Sequence, residues 1–217
     1  EYVSLNYRSG AWDVFGSAYY IQHRYKTDFN ATQELLLDNN EQKQVYNTFE
    51  DGGYNDIIPV LGVNFNPNPK LSSGIRYTYD YTKWDNNVKN NIKQNNDNIN
   101  QLSHFIQPER NHKVNAYYHG DLSDKLSLNI HFDWLKGDEE VDMSSHYAEM
   151  PDDILNTQST RDYDLYAGKG VLSYMLGSGV LEAGGEYTYT RFLQTYNINK
   201  PELEIEDSND KAIQNRG

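Results

Sequence analysis

The side chains that could carry out chemistry are spread along this chain rather than gathered into a known motif. No H-E-x-x-H, G-x-S-x-G, P-loop or G-x-G-x-x-G pattern occurs, so the sequence gives no sign of a zinc protease, a serine hydrolase or a nucleotide-binding loop. The stretch GSGVLE at 177–182 begins like a dinucleotide fingerprint but has Glu182 where a glycine is required. The six histidines are scattered: His23, His104, His112, His119, His131 and His146.

Two of these histidines flank a predicted turn at 122–125. We expect His119 and His131 to lie near each other on one face of a hairpin, because they alternate with apolar residues on the two sides of that turn. Two imidazoles are half of a zinc site. A solvated pair is the interpretation we favour, and no metal site is predicted. Ser127 beside His119 is the only combination suited to nucleophilic catalysis.

Acidic residues gather after residue 137, namely Asp138, Glu139, Glu140, Asp142, Asp152 and Asp153. Calcium prefers carboxylate oxygens, but this spacing does not match an EF-hand loop. We therefore predict a solvated acidic loop and no cofactor.

The composition excludes several classes of protein. The chain has 19 basic and 32 acidic residues in 217, a net charge of -13, which argues against nucleic-acid binding. There is no cysteine, so disulfides and thiolate metal sites are excluded. No apolar run approaches the 18 or so residues of a membrane helix. Nineteen tyrosines are many, and tyrosine suits strands and the wet border of an apolar layer.

Strict alternation of apolar and polar residues predicts β-strands with two different faces. Ile75, Tyr77, Tyr79 and Tyr81 alternate with Arg76, Thr78, Asp80 and Thr82. The same alternation recurs at 113–120, 126–134 and 181–190. Turn chemistry predicts hairpins centred near 9–10, 67–70, 122–125 and 177–179.

These patterns predict one all-β unit over 1–217, an antiparallel up-and-down meander of about eight long strands. Long polar loops are expected at 25–56, 84–110, 137–160 and 193–217, with a short helix around 33–37. Short turns would then lie at one end of the strands and long loops at the other. Tyr79, Tyr81 and Trp84 are predicted to form part of an aromatic girdle where one strand leaves for its loop. This asymmetry is typical of outer-membrane β-barrels.

Two stretches resemble the barrel region of TonB-dependent outer-membrane receptors, in the branch common in Bacteroidetes. They are DYDLYAGK at 162–169 and GEYTYTR at 185–191. The resemblance implies import of a scarce nutrient through a plugged barrel, a place in the bacterial outer membrane, contact with its lipid bilayer, and coupling to the TonB system through the missing N-terminal part of a parent protein. No TonB box or plug domain is seen, so we interpret the chain as a fragment.

The polar face of the predicted strands would then line the lumen. Weak candidates for contact with cargo are Arg76, Asp80, His119, His131, Asp133, Glu182 and Glu186. The alternative is that these side chains pair along the wall, which we favour. Two other functions stay open: a soluble ligand- or glycan-binding β-sandwich or barrel, and an outer-membrane β-barrel enzyme using Ser127 and His119.

The first prediction concerns the two faces of 126–134. Leu128, Ile130, Phe132 and Trp134 should share one face, with His131 on the other. If that face contacts lipid at mid-bilayer, Ile130→Lys should disfavour membrane insertion by about 2–4 kcal/mol, measured as the free energy of insertion into lipid vesicles. In a soluble sandwich the same substitution would bury a charge in the core and abolish folding, which would contradict the membrane interpretation.

Overall fold

The computed structural model describes the backbone of residues 1–37, 40–94, 97–200 and 211–216. These residues form nine strands: β1 (Tyr2–Ser9), β2 (Trp12–Leu37), β3 (Asn40–Asn68), β4 (Leu71–Gln94), β5 (Asp97–Asp121), β6 (Leu126–Tyr147), β7 (Met150–Leu176), β8 (Gly179–Ile198) and β9 (Lys211–Arg216). All nine are antiparallel and follow chain order in one sheet. The fold class is confirmed: the chain is an all-β, up-and-down meander that curls into a half-barrel. No helix of the described residues is long and apolar enough to cross a membrane.

The turns lie where the sequence predicts them, at 10–11, 69–70, 122–125 and 177–178. Two of them use a glycine in the left-handed region, Gly10 with φ 56° and Gly177 with φ 62°, which a side chain at that position would oppose. The turns at 69–70 and 122–125 are also joined by an ion pair, in which Lys70 donates to Asp124 at 2.9 Å.

The prediction of long loops is wrong for the described residues. Most of 25–56, 84–110 and 137–160 is strand, because β2 to β7 continue far beyond the alternating segments. In 193–217, β8 runs to Ile198 and β9 occupies 211–216, while 201–210 and 217 lie outside the described residues. The predicted helix at 33–37 is wrong too, since these residues end β2. A backbone ladder forms whatever the side chains are, and here polar side chains pair across it, as Thr48 does with Asn90 at 2.7 Å.

The register fixes two faces across the whole sheet. Directly opposite residues share a face, so pairs such as Trp12 with Phe65 and Val114 with Trp134 extend one apolar surface from strand to strand. We call this surface the belt and the opposite surface the polar face. The belt consists of alternate residues of 3–7, 12–20, 57–65, 75–81, 114–118, 128–134, 166–174 and 181–189.

The face assignment predicted for β6 is confirmed. Ile130 lies opposite Tyr118 and Gly170 on the belt, and His131 lies opposite Tyr117 and Lys169 on the polar face.

The sheet is a single layer without a core. Among the described residues no apolar side chain is buried, and belt residues such as Leu61 (63% exposed) and Leu181 (64%) are uncovered. The chain exposes 14924 Å², whereas a compact monomer of this mass exposes about 10,000 Å². A soluble sandwich needs two packed sheets, and the described strands form one.

Aromatic residues border the belt at both ends. Near the turns, the Trp12 and Phe65 rings lie 4.5 Å apart. At the other border, Tyr166 and Tyr189 pair at 6.1 Å. The other aromatic residues at that border are Tyr20, Tyr79, Tyr81 and Trp134.

The prediction that Trp84 belongs to this girdle is wrong. The register between β4 and β5 is unbroken from Ser73 to Trp84, so Trp84 lies on the face opposite to Tyr79 and Tyr81.

The strands are staggered: each begins further along than its neighbour. The strands are therefore tilted relative to the line that joins the tight turns. The row of opposite residues that starts at Trp12 on β2 passes through Tyr118 and reaches Gly185 on β8. β2 begins at Trp12, but β8 begins at Gly179, so the offset is 185 − 179 = 6 residues over six strand steps. At about 3.3 Å per residue and 4.8 Å per strand, this gives a tilt of about 35°. Barrel closure requires a tilt in this range.

Glycines on the polar face make room for aromatic rings of the neighbouring strand. A Cβ built on Gly62 would lie 2.2 Å from the Phe15 ring, and one on Gly137 would lie 2.2 Å from the Tyr163 ring. The ring therefore packs against the glycine of the neighbouring strand, in the space that a side chain would otherwise fill.

We predict that Gly62→Ala lowers the free energy of unfolding by about 1–3 kcal/mol, because the new methyl group displaces the Phe15 ring. The control is Gly168→Ala on the belt, where a Cβ meets nothing within 4 Å; its stability should be unchanged or slightly raised. Denaturant unfolding in detergent micelles measures both. Equal losses in the two variants would show that the Phe15 contact is not the cause.

Candidate functional site

The seven sequence candidates all lie on the polar face, as the alternation predicts. They are Arg76, Asp80, His119, His131, Asp133, Glu182 and Glu186. Four of them bond to residues of a neighbouring strand. Arg76 donates to Asn115 at 3.3 Å, and the Asn115 amide donates to Asp133 at 2.6 Å. Lys113 donates to Asp80 at 3.2 Å.

Glu182 makes the fourth of these bonds, and the register places the other three candidates. Glu182 accepts a hydrogen bond from Ser173 at 3.0 Å, and Glu186 lies opposite Lys169. His119 faces Asn129 while His131 faces Tyr117, so the two histidines are diagonal neighbours on β5 and β6. Diagonal side chains in an antiparallel pair are about 7–8 Å apart. Within the described ranges, no group of three His, Asp or Glu residues is arranged to hold a metal ion.

Ser127 lies opposite Asp121, so it is a diagonal neighbour of His119 across β5 and β6. The Ser127 hydroxyl and the His119 imidazole are thus not directly opposite each other. The row of opposite residues through His119 on β6 and β7 holds Asn129 and Val171, and neither is an acid. An enzyme built on these two residues stays an untested alternative.

The acidic residues after 137 do not form the solvated loop that was predicted, because they lie on paired strands. Asp138 and Asp142 are on the belt side, beyond the belt itself, while Glu139 is on the polar face. Arg110 donates to Asp138 at 2.8 Å, and Arg161 donates to Glu139 at 2.9 Å. Gln158 donates to both Glu140 and Asp142, and Lys200 contacts Asp153 at 2.5 Å. These carboxylates are therefore paired with cations or amide groups of the described residues.

A polar network that the sequence does not reveal crosses β5, β6 and β7. The Tyr163 hydroxyl shares its one proton between Asn111 Oδ1 and a carboxylate oxygen of Glu109, the latter at 3.2 Å, and the Asn111 amide donates to Glu109 at 2.7 Å. Burial together with the nearby Glu109 carboxylate raises the pKa of Tyr163 to about 12. The ring reaches these partners by lying over Gly137. No motif encodes this network; only the register brings its members together.

A second arrangement that the sequence does not reveal is a row of rings on the polar face of β2, β3 and β4. His23 lies opposite Tyr54, and Tyr54 lies opposite Trp84. The ring centroids are 5.4 Å apart for His23 and Tyr54 and 4.5 Å apart for Tyr54 and Trp84. We call these three residues the aromatic row. They lie beyond the belt border, which on β2 ends at Tyr20.

Polar groups flank the aromatic row on both sides. Toward the strand tips, the Tyr25 hydroxyl donates to Glu50 at 2.7 Å, and Asn86 (2% exposed) accepts the Gly53 N–H at 3.0 Å. Toward the turns, one carboxylate oxygen of Asp56 is buried without a hydrogen-bond donor. A shallow concavity of about 270 Å³ lies nearer the turns, lined by Phe15, Asn64, Ile75, Arg76, Asn115 and Tyr117.

Comparison with known proteins gives remote similarities only. No family model and no curated protein matches the chain. Among solved structures, the ferric citrate transporter FecA in its unliganded form aligns at 8% identity and a TM-score of 0.46, over 98% of this chain and 37% of FecA. BauA, the ferric preacinetobactin receptor of Acinetobacter baumannii, aligns at 10% identity and a TM-score of 0.37, over 99% of this chain and 41% of BauA. The chain thus spans about two fifths of either protein, and similarity at this level assigns no function to it.

The raised pKa of Tyr163 predicts a pH dependence of stability. The unfolded phenol loses its proton near pH 10, whereas the folded one keeps it to about 12. Between these values the unfolded state binds fewer protons, so the folded state loses stability as the pH rises. Tyr163→Phe removes this component, and the stability advantage of the wild type over the variant should shrink from pH 10 to 12.

The measurement is the free energy of unfolding in micelles across that pH range. All other groups are common to the two proteins and cancel in the difference. A difference independent of pH would contradict the raised pKa of Tyr163.

Proposed function

We propose that this chain is a segment of an outer-membrane β-barrel receptor that takes up a nutrient. The observation that carries the proposal is the belt: a continuous apolar surface across eight strands, without protein cover, bordered by aromatic residues at both ends. In water such a large exposed apolar surface would promote aggregation. In a bilayer it is the surface that lipid requires.

The height of the belt fits a membrane. On β8 it covers the nine residues 181–189. At about 3.3 Å per residue and a tilt of about 35°, these residues rise about 22 Å along the membrane normal, close to the apolar band of about 25 Å in outer-membrane barrels. The aromatic borders would then lie in the two headgroup layers, where tyrosine and tryptophan are enriched.

The polar face fits a water-filled lumen. It carries ion pairs and charged side chains on the same strands and at the same height as the belt, among them Arg76, Asp133 and Glu186. Buried charges would have to be paired completely, but these side chains are partly or largely exposed. A lumen keeps them hydrated.

The lengths of the strands indicate which end faces outward. β2 has 26 residues and β3 has 29, whereas about 9–11 residues cross a bilayer. The excess lies on the side away from the tight turns. Outer-membrane barrels place short turns in the periplasm and their long connections outside the cell, so the extended hairpins would stand above the membrane.

The half-barrel supports the role of a segment. In the described strands, β1 and β9 lie at opposite edges of the sheet and do not pair with each other. Open edges are normally covered or closed, so further strands are expected to complete the wall. Transport, coupling to TonB and the choice of nutrient would belong to the complete barrel and its plug, and rest on the resemblance of 162–169 and 185–191. We propose no catalytic activity for the chain and no nucleic-acid partner.

The test uses single cysteines, since the chain has none of its own. Ala148→Cys, at the β6–β7 tip, should react with a membrane-impermeant maleimide in intact cells. Ser178→Cys, in the β7–β8 turn, should react only after the outer membrane is permeabilised. Recovery of the chain in the soluble fraction would reject the proposal, and labelling of Ser178→Cys in intact cells would reverse the orientation.

A second pair of variants separates the two faces at one height. In lipid vesicles, His131→Cys should react with the same reagent through water in the lumen, while Ile130→Cys should be protected by lipid. Equal reactivity at both positions would mean that the belt does not contact the bilayer.

A further inference from the structure

We propose that three basic residues on the belt side of the sheet, Lys83, Arg110 and Lys136, bind the phosphate monoester of a membrane lipid. We call these three residues the basic band. Its place against a bilayer rests on the proposed function, whereas its charge and its geometry belong to the chain alone.

The basic band lies directly beyond the aromatic border of the belt. Lys83 follows Tyr81 by two residues on β4, and Lys136 follows Trp134 by two residues on β6. Arg110 on β5 lies opposite Tyr81. At about 3.3 Å per residue and a tilt of about 35°, two residues rise about 5 Å past the border. The headgroup layer on each side of the hydrocarbon is about 5–8 Å thick, so the three cations stand at the height of lipid phosphates.

The aromatic border holds Arg110 in place without covering it. Its guanidinium carbon lies 5.9 Å from the centroid of the Tyr81 ring, as in a cation–π contact. One guanidinium nitrogen donates to Asp138 at 2.8 Å. The side chain is still 43% exposed, and a guanidinium has five N–H donors in a planar fork that suits phosphate oxygens. Donors that do not bond Asp138 are therefore open to a ligand.

The two lysines lack a contacting anion. Neither Lys83 nor Lys136 forms an ion pair with any residue that the structure describes. Asp164 lies opposite Lys136 on β7, but its ion pair is with Arg191 at 3.9 Å. Asp162, the next acid on this side, is only a diagonal neighbour of Lys136. Two positive charges thus stand without a contacting carboxylate in a chain whose net charge is -13.

The register places Arg110 between the two lysines. Lys83 lies opposite Pro108 and Lys136 lies opposite His112, so each lysine is a diagonal neighbour of Arg110. Diagonal positions are about 7–8 Å apart, and the flexible four-carbon stem of lysine lets both ammonium groups turn toward a ligand at the guanidinium. A phosphate monoester carries nearly two negative charges and three acceptor oxygens. Its charge therefore matches the two lysines, and its oxygens match the donors of the band.

The other border of the belt has no such cations. Between the belt and the tight turns, the described belt-side residues of β4 to β8 are uncharged, namely Leu71, Ser73, Gly120, Leu126, Leu176 and Gly179. A ligand that joins an anion to acyl chains fits only the border where cations adjoin the apolar surface. This continuity with the belt favours a lipid over free phosphate, and basic residues beside a hydrocarbon surface are the usual contacts of anionic headgroups.

The test uses the complete encoded protein, purified from outer membranes in detergent and freed of lipid. Native mass spectrometry measures the dissociation constants of phosphatidic acid, whose headgroup is a phosphate monoester, and of phosphatidylglycerol and phosphatidylcholine with the same acyl chains. We expect phosphatidic acid to bind at least tenfold more tightly than phosphatidylcholine. The attraction of an anionic lipid to one basic residue predicts about a fivefold loss for each lysine, so Lys83→Gln combined with Lys136→Gln should weaken phosphatidic acid about 25-fold.

The matched control removes two positive charges from the polar face instead. Lys113→Gln combined with Lys169→Gln changes the net charge equally, on neighbouring strands and at a similar height, and should leave the affinity for phosphatidic acid unchanged. Lys136→Arg keeps the charge of the band and should retain most of the binding. If the Lys83 and Lys136 double variant is not recovered from the membrane, the two single variants decide the question by the same titration.

The outcomes separate the lipid site from the proposed function. Equal affinity for phosphatidic acid and phosphatidylcholine, or equal losses in the two double variants, would overturn the site. Phosphatidylglycerol that binds as tightly as phosphatidic acid would contradict a monoester site, and inorganic phosphate that binds as tightly as the lipid would contradict a lipid ligand. If lipid preference is absent while the cysteine labelling shows the expected topology, the site is wrong and the barrel assignment stands. If the labelling is reversed while phosphatidic acid binds as expected, the orientation is wrong and the site stands.

Discussion

The unbroken antiparallel backbone ladder is the constraint on which the rest of this structure depends. From β2 to β8 each strand is held by hydrogen bonds on both sides, and the register slips only locally, as between Phe65 and Asn68. Because a shift of one residue would exchange the two faces, this register alone keeps Ile130 on the belt and His131 on the polar face. No buried core assists it, since the described residues contain none.

The same ladder builds the sites. Tyr163 meets Glu109 although 54 positions separate them, and Tyr54 meets Trp84 because β3 and β4 are in register. Each side chain contributes to a cross-strand row, and glycines such as Gly137 and Gly62 make room for rings within it. Local ion pairs such as Arg161 with Glu139 are partly exposed and contribute little by themselves. The geometry of these ion pairs is fixed by the paired strands that carry the side chains.

Sequence reasoning recovers the parts of the fold that have a period of two. It identifies the turns, the strands beside them and the polar face that holds Arg76, Asp133 and Glu186. It fails where polarity is taken as a sign of a loop: the asparagine-rich 86–100 pairs as strand wherever it is described, because backbone groups form the ladder regardless of side chain. It also fails at Trp84. That residue was grouped with Tyr81 because the two are close along the chain, whereas alternation along β4 puts them on opposite faces. The Tyr163 network and the aromatic row need the register between strands, which no single segment encodes.

The length of the paired strands has a mechanical consequence. β4 and β5 are in register from Leu71 with Gly120 to Gln94 with Asp97. A force applied to the tip of this hairpin along the strands pulls β4 and β5 together, so it loads in shear the hydrogen bonds of β4 to β3 and of β5 to β6. These bonds share the load, so none can break before its neighbours are strained. A force applied across the sheet loads them one after another, as in a zipper. The sheet is therefore stiff against pulling on its tips along the strands and weak against peeling from the edges at β1 and β9.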